Sequence, residues 1–337
     1  MISMKHIQSF TIINYFSNRN IMTKILFVEN DTLQDNPMSS CYQLKCNEIQ
    51  KMGDVTYFNI SHNIDFEPTD YDVLLLGCRA VPFYKKYRKP KVVNKITNNM
   101  DKLLRIKNRF MILQDMHSKT YGSLDILGEF LRTNQFKIIF TFFNCYEAKL
   151  IRRKTKGCTY FHLPHHIDTN IFKVRPEIEK EYDICLFGNA HAKHYPFRNR
   201  LFRIIRESEL FNIKEIPYKP DEFNPETCEE GLSKILNSSK LAISTKSKYN
   251  YYVGKYLEIT LSDCLIVGDI PADGSHMLKN NMVEVTDTMT DDEIIQTIIE
   301  VLKNYDDQLY KIDNLQRIYN DNFNLEQYIV KLRQIIY

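Results

Sequence analysis

Two side chains that could act as a general base follow an apolar run in the first half of this sequence. Asp115 and His117 come directly after Phe110–Leu113. A carboxylate or imidazole at the end of a buried strand can accept a proton or orient a hydroxyl group. Asp115 and His117 are therefore candidate catalytic residues, although a hydrogen-bonded structural histidine is an equally good interpretation of His117.

Positively charged side chains follow apolar runs in the second half. Gly188 ends the run Asp183–Phe187, and Arg198 stands early in the helical pattern that follows it. Lys246 and Lys248 follow a later run. Amides at the start of a helix, together with such cations, suit a diphosphate. Each cation alone is more simply a solvated surface charge, but their shared position at strand ends favours a phosphate site.

A carboxylate lies within an apolar helical pattern near the same edge. Glu258 is flanked by apolar residues at helical spacing, and a strand pattern follows it at Cys264–Val267. A carboxylate on the inward side of such a helix could accept hydrogen bonds from two ribose hydroxyls, and the alternative is an ordinary surface glutamate. The loop after Gly188 has a single glycine, so it is neither a P-loop nor a dinucleotide-binding turn.

Four residues near the middle of the chain raise the question of zinc. Their spacing, one cysteine followed by three histidines, matches no familiar ligand pattern. The residues are Cys158, His162, His165 and His166. The sequence therefore predicts no metal site. We also expect no bound cofactor.

Short apolar runs alternate with helical patterns along the whole chain, which predicts parallel sheets covered by helices on both faces. Strands are expected at 25–28, 55–58, 73–76, 110–113, 138–141 and 159–163, and then at 183–187, 213–216, 241–244, 265–267 and 283–285. Helices are expected near 39–51, 91–107, 123–133, 144–154, 196–208, 229–238, 253–262, 291–304, 306–320 and 325–336.

The alternation restarts after the charged stretch Glu177–Glu181. The expected fold class is therefore α/β, with two Rossmann-like domains whose parallel sheets face a cleft. The predicted divisions are an extension at 1–21, a first domain at 22–164, a linker at 165–181, a second domain at 182–322 and a C-terminal helix at 323–337.

Composition restricts the classes of function. Hydrophobic residues at 43% and charged residues at 26% indicate an ordinary globular protein. A net charge of +3 argues against nucleic acid as a partner, and no apolar run is long enough for a transmembrane segment. The eight cysteines include no C-x-x-C pair, as is usual for reduced thiols, which predicts a cytoplasmic protein.

Three segments, in this order and at these intervals, resemble the GT-B glycosyltransferases, and most closely their CgeB-like branch. FHLPHHIDTNIF at 161–172 is similar to the interdomain segment of that group. YDICLFG at 182–188, with YPFR at 195–198, resembles the start of the donor domain. YVGKYLE at 252–258 and CLIVGD at 264–269 resemble the donor-binding helix and strand.

The resemblance implies a GT-B fold and transfer of a sugar from a nucleotide-diphosphate sugar to an acceptor hydroxyl on a glycan, protein or small molecule. It implies that Glu258 holds the ribose or sugar and that Asp115 or His117 faces the acceptor. It also implies metal-independent stabilisation of the leaving diphosphate by basic side chains and a helix end. The candidate phosphate ligands are Gly188, Arg198, Lys246, Lys248 and Lys255.

Two positions depart from the family pattern. Many retaining members carry an acidic residue eight positions before the ribose-binding glutamate, where this chain has Asn250. Ser262 and Asp263 replace the usual pair of a small residue and glycine. These departures leave open a non-catalytic nucleotide- or sugar-binding relative. A third hypothesis is a sugar transferase acting on modified DNA bases, against which the modest net charge argues.

Overall fold

The computed structural model describes residues 23–30, 49, 52–77, 79–83, 90–113, 123–144, 146–218, 224 and 227–336. The predicted extension at 1–21 lies outside these residues, as does the predicted helix at 39–51 apart from Ile49. Asp115 and His117 also lie outside them. Within the described part, the chain forms two separate parallel sheets in sequence order.

The first sheet has six strands in the order β2-β1-β3-β4-β5-β6, all parallel. Its strands are β1 (Ile25–Glu29), β2 (Val55–Asn59), β3 (Val73–Leu76), β4 (Asn108–Leu113), β5 (Ile138–Thr141) and β6 (Thr159–His162). Three helices connect the last four strands: α1 (Pro90–Leu103), α2 (Leu124–Thr133) and α3 (Tyr146–Lys154).

The second sheet has five parallel strands in the order β11-β10-β9-β7-β8. Its strands are β7 (Tyr182–Phe187), β8 (Ile213–Ile216), β9 (Ser239–Ile243), β10 (Leu265–Gly268) and β11 (Val283–Glu284). The helices of this half are α4 (Pro196–Ser208), α5 (Glu229–Asn237), α6 (Lys255–Leu261), α7 (Ser275–Leu278), α8 (Asp291–Lys303), α9 (Leu309–Asn322) and α10 (Leu325–Ile336).

Strand β7 shows why helices must cover both faces of the second sheet. Side chains alternate between faces along a strand. Accordingly, Ile184 and Leu186 pack into one buried cluster, whereas Cys185 and Phe187 pack into another on the opposite face. The prediction of two-sided burial from continuous apolar runs is therefore confirmed.

Helix ends follow local sequence signals. Thr290 and Glu293 form a reciprocal capping box at the start of α8, and Ser123 caps α2 by accepting a hydrogen bond from the amide of Ile126. Pro196 opens α4, where the missing amide proton costs nothing. These signals explain why the predicted starts of these helices match the structure to within one residue.

The last helix returns to the first half of the molecule. Tyr328, Leu332 and Ile336 of α10 are buried in the same cluster as the strands of the first sheet. Ile167 pairs with Asn324 in an isolated parallel bridge just before that helix. The C-terminal helix thus packs against the first sheet, while the predicted domain boundaries stay a prediction.

Candidate functional site

The candidate site lies at the carboxyl edge of the second sheet, where β7 and β9 are neighbours. The chain leaves β7 toward β8 on one side and later leaves β9 toward β10 on the other. Connections that diverge in this way open a crevice beyond the strand ends, and ligands of open α/β sheets bind at such switch points. The loops that follow β7 and β9 carry three of the six predicted donor-binding residues, and the helices α4 and α6 that follow these loops carry the other three.

Gly188, at the end of β7, lies directly against the side chain of Lys255. Its backbone is in the left-handed region, with φ of 81°. A Cβ atom at this position would overlap the Cε and Nζ atoms of Lys255. Two features therefore require glycine at this position: the left-handed backbone conformation and the close approach of an ammonium group.

Lys255 is held at this position by an aromatic face and a carboxylate. Its Nζ lies 3.8 Å from the centre of the Phe187 ring, a cation–π contact. The same atom lies 3.9 Å from Oε2 of Glu258, one helical turn further along α6. Both charged side chains are about one-fifth exposed, at 21% and 20%. The ammonium thus faces the crevice beside the start of α6.

The carboxylate of Glu258 keeps hydrogen-bonding capacity. Its Oε2 atom is buried, and no donor within the described residues reaches it at hydrogen-bond distance. Buried carboxylate oxygens are normally hydrogen-bonded, because leaving one without a donor is costly. Glu258 can therefore accept hydrogen bonds from a bound polar ligand such as a pair of hydroxyl groups.

Arg198 has a structural role that its sequence position did not reveal. Its side chain is 1% exposed. Nη1 donates to the carbonyl oxygen of Asn189 at 3.0 Å, and Nη2 donates to that of Thr245 at 2.9 Å. The guanidinium therefore connects the loops after β7 and β9 beneath the crevice, and direct contact with a phosphate stays a prediction.

The charge of Arg198 is maintained despite its burial. Desolvation lowers its pKa from the usual value, while Tyr195, Tyr256, Asp269 and Glu258 oppose that shift. An arginine pKa is so high that the group stays protonated at neutral pH. The loops of the crevice are thus fixed by a permanent positive charge.

Lys246 is engaged with Asp269 at the end of β10. The backbone amide of Lys246 donates to Oδ1 of Asp269 at 2.8 Å, and its Nζ lies 3.7 Å from Oδ2. Burial raises the pKa of Asp269, whereas the amide and the ammonium of Lys246 lower it. Asp269 thereby orients the loop after β9, a role that sequence reasoning did not assign although the residue stood at a predicted strand end.

Lys248 is exposed at the rim of the crevice. Its amide donates to the carbonyl oxygen of His194, which joins the loop after β9 to the loop after β7. Its Nζ lies 5.1 Å from the centre of the Tyr249 ring. Among the predicted cations, Lys248 therefore has the most freedom to approach a ligand.

Tyr256 contributes to the floor of the crevice and was missed from the sequence. It is fully buried on α6, and its hydroxyl donates to the carbonyl oxygen of Asp269 at 2.7 Å. Burial raises its pKa well above the usual value, so the hydroxyl stays a donor. Only the apolar spacing of α6 signalled that this side chain points inward.

An aromatic stack joins the crevice to the first sheet. Phe143 follows β5, and its ring lies parallel to that of Tyr251, with centres 4.2 Å apart. Tyr251 also stacks on Tyr249, with centres 5.4 Å apart. His165 packs edge-on against Phe143 at 5.1 Å. The carboxyl edge of the first sheet therefore contacts the loop that leads into α6.

The histidines considered as zinc ligands contact backbone and aromatic groups of the protein. His162 Nε2 lies 3.2 Å from the carbonyl oxygen of Phe142, and burial lowers the pKa of this histidine. His166 packs on Tyr328 at 4.1 Å. Across the described residues, no group of three or more His, Cys, Asp or Glu side chains could hold a metal ion.

Two further predictions concern the environment of the protein. In the part of the chain that the structure describes, no helix is long and apolar enough to cross a membrane. Cys185 and Cys264 are buried free thiols, and burial raises the pKa of Cys185 to about 12. A cytoplasmic location stays a prediction.

Comparison with known proteins gives a fold and no close relative. No protein-family model matches the sequence, and no curated protein is significantly similar to it. HepE of Anabaena, solved with UDP and glucose, shares 11% identity over 93% of this chain and 99% of its own, with a TM-score of 0.55.

Two other solved structures are similar over the same share of this chain, 93%. Sucrose-phosphate synthase of Thermosynechococcus elongatus is 10% identical, is covered over 98% of its length and gives a TM-score of 0.59. An alpha-glucosyltransferase, solved with UDP and a 13-mer DNA containing an HMU base, is 11% identical, is covered over 99% and gives a TM-score of 0.60.

These likenesses extend over nearly the whole of each protein, so they include both sheets of this chain. The predicted fold class is confirmed, while a CgeB-like subtype stays a prediction. The chain has the two-domain α/β architecture of the GT-B glycosyltransferase fold.

Proposed function

We propose that this protein transfers a sugar from a nucleotide-diphosphate sugar to an acceptor hydroxyl, with the donor bound in the crevice between β7 and β9. The observation that carries the proposal is the group formed by Gly188, Lys255 and Glu258. It presents an ammonium and an incompletely hydrogen-bonded carboxylate side by side at the switch point of a parallel sheet.

The two charged groups suit different parts of such a donor. The Lys255 ammonium is a point charge for the diphosphate, and it would stabilise the negative charge that develops when the glycosidic bond breaks. The Glu258 carboxylate would accept hydrogen bonds from the ribose diol. Arg198 would act indirectly, by fixing the loops that surround the diphosphate.

The loop after β7 supplies a further source of positive potential. Among the described residues, no acceptor lies at hydrogen-bond distance from the backbone amides of Asn189 and Ala190. Unpaired amides after a strand, ahead of a helix, form an anion-binding concavity. They support placing the diphosphate beside Gly188.

The proposed reaction needs a group that activates the acceptor. Asp115 and His117 keep this role as a proposal, since they come shortly after Leu113, the last residue of β4, in the sequence. The contact between Phe143 and Tyr251 places the carboxyl edge of the first sheet beside the loop leading into α6. An acceptor bound between the two sheets would thus have a donor sugar on one side and a candidate base on the other.

The test is to measure binding and hydrolysis of a panel of nucleotide sugars by the wild type and by Glu258→Gln. Losing charge-assisted hydrogen bonds to a ribose diol, worth about 2–3 kcal/mol, predicts affinity reduced by about 30-fold or more. Glu177→Gln, which changes an exposed glutamate before β7, is the matched control and should bind like the wild type.

The outcomes separate the competing functions. Donor hydrolysis that depends on Glu258 supports a transferase, whereas nucleotide binding without turnover on any acceptor indicates the non-catalytic relative. Wild-type protein that binds no nucleotide sugar contradicts both. Equal affinity of Glu258→Gln and the wild type would place the donor elsewhere.

A second candidate is sugar transfer to modified bases of DNA. It is favoured by one observation, the similarity to an alpha-glucosyltransferase that was solved together with DNA. Incubating the protein with labelled nucleotide sugars and a duplex containing an HMU base would test it. Label in that duplex and not in an unmodified one is the supporting result, and label in neither excludes this acceptor.

A further inference from the structure

The modest net charge of the chain conceals a strongly basic surface on the first sheet. Three segments, 101–107, 132–137 and 152–156, contain nine lysines and arginines and one aspartate. All nine basic side chains are exposed. We call the surface formed by these three segments the basic edge.

Topology brings the three segments to the same edge of the sheet. Strands β3 to β6 are neighbours in chain order, so right-handed connections place α1, α2 and α3 on one face. Each helix runs back from the carboxyl edge to the amino edge, and α2 packs on α3. The basic edge therefore lies at the amino ends of the strands, away from the crevice.

Few of these cations have an ionic partner among the described residues. Of the nine, only Lys154 forms an ion pair with a described residue, Asp125. Every other ion pair between two described residues lies in 175–291. There, Arg200, Arg203 and Arg206 are each matched by a carboxylate.

Stabilisation of helix ends does not account for the basic edge. A cation in the last turn of a helix interacts favourably with the helix dipole, and one such residue is enough. Helices α4 and α5 each have one, Arg206 and Lys234, and both are ion-paired. Helix α3 has three in its last turn, and Lys156 follows just beyond it.

The chemistry of the basic edge points to closely spaced phosphates and away from a lipid surface. Each of its arginines can donate two parallel hydrogen bonds to the oxygens of one phosphate group. Peripheral membrane binding also needs apolar side chains that enter the bilayer. The large exposed apolar residues of the described chain include Ile126, Tyr146 and Leu210, and none belongs to the basic edge.

We propose that the basic edge binds the phosphate backbone of double-stranded nucleic acid without reading its sequence. Adjacent helices lie about 8–10 Å apart, so the three helix ends span roughly 20 Å. A duplex carries one phosphate charge for about every 1.7 Å of its axis, which lets several cations of this edge bind at once. The proposal is independent of sugar transfer, because it uses none of the crevice residues.

The test is fluorescence anisotropy of the full chain with a fluorescein-labelled 20-base-pair duplex, measured from about 50 to 200 mM salt. The edge variant carries Arg152→Gln, Arg153→Gln and Lys156→Gln. It should bind about tenfold more weakly or worse at low salt, and its log–log salt slope should be shallower by about 3, since each lost phosphate contact removes about 0.9.

The control variant removes three exposed cations from the second half, with Lys279→Gln, Lys303→Gln and Arg317→Gln. It changes the net charge equally and should bind the duplex like the wild type. Thermal melting would show that both variants fold. If the edge variant does not fold, Arg132→Gln with Lys137→Gln on the neighbouring helix end gives the same test.

Three results would overturn the proposal. The first is a wild type that does not bind the duplex at low salt, and the second is an equal loss of binding in the edge and control variants. The third is binding to vesicles containing phosphatidylserine, sensitive to the edge variant, without binding to the duplex. A loss confined to the edge variant supports the proposal, whatever the outcome of the nucleotide-sugar measurements.

Discussion

The two sheets share one strand order around their switch points and differ in the charge buried there. The neighbours at the switch are β1 and β3 in the first sheet and β7 and β9 in the second. Glu29 occupies the first position and Arg198 the second, and both are 1% exposed. The same topology therefore contains a buried carboxylate on one side and a buried guanidinium on the other.

The two charges bind opposite ends of the peptide group. Oε1 of Glu29 accepts hydrogen bonds from the amides of Asn30 and Arg79, both at 3.0 Å. Arg198 instead donates to the carbonyl oxygens of Asn189 and Thr245. Glu29 thus engages loop amides in the first sheet, whereas Arg198 engages loop carbonyl oxygens in the second, where the amide of Lys246 is the one held by a carboxylate, that of Asp269.

This difference explains how two sheets of the same topology can differ in their ability to bind an anion at the switch point. Amides engaged by a carboxylate are no longer available to an anion, and the negative charge beside them repels one. Carbonyl oxygens engaged by a guanidinium leave the neighbouring amides for an anionic ligand. For the proposed function, the guanidinium of Arg198 would favour a diphosphate at the second sheet, and the carboxylate of Glu29 would disfavour one at the first.

The largest expected effect is that of Arg198→Met. The change leaves two buried carbonyl oxygens without their charged donor, and hydrogen bonds to charged groups contribute about 1.5–3 kcal/mol each. Because the buried charge itself is also removed, the expected loss of unfolding free energy is about 3 kcal/mol. Urea unfolding measures it.

The exposed Arg317→Met is the control, with an expected change within about 0.5 kcal/mol. If the two variants unfold at the same urea concentration, Arg198 does not join the loops as described. A stable Arg198→Met protein that still binds nucleotide sugar like the wild type would show that the guanidinium contributes neither to stability nor to donor binding.

A smaller effect is expected for Glu29→Gln in the first sheet. The amide keeps an oxygen that can accept from Asn30 and Arg79 but loses the charge assistance, so unfolding free energy should fall by about 1–2 kcal/mol. Affinity for nucleotide sugar should not change, since Glu29 lies in the other sheet. Titration of both proteins with the same donor checks this, and a weakened affinity would show that the switch points are coupled.

The fold was predictable because its signals are local and repeated. All eleven strands within the described residues were expected from short apolar runs, with bounds differing by at most two residues at either end. Helix α7 was missed, since four residues give no periodicity. The strand order was not predicted, because pairing depends on contacts between residues distant in the sequence.

The ligands and roles of the site residues stay a prediction. The structure does bring Gly188, Lys255 and Glu258 together, at the end of β7 and the start of α6. Arg198 resembles a phosphate ligand in sequence, but its spacing along α4 turns it inward, where it meets two carbonyl oxygens. Periodicity indicated that helix, and nothing in the sequence indicated the partners.

Net charge was the least informative quantity. The value of +3 argued against nucleic acid, yet it does not show that nine basic side chains and a single aspartate lie in three short segments of the first half. Only the placement of α1, α2 and α3 on one face brings the cations together. A sum over the chain cannot contain that information.

The most direct test of the central claim is calorimetric titration of Gly188→Ala and Gly157→Ala with the nucleotide sugar that the wild type binds most tightly in the panel. Both glycines have positive φ, 81° and 94°, so both variants carry the same kind of backbone strain. An added Cβ at Gly157 meets nothing within 4 Å, whereas at Gly188 it displaces Lys255. Gly157→Ala should bind this nucleotide sugar like the wild type, and Gly188→Ala should bind it about tenfold more weakly or worse, since a charged contact is worth at least about 1.5 kcal/mol. Equal affinities in the two variants would contradict it.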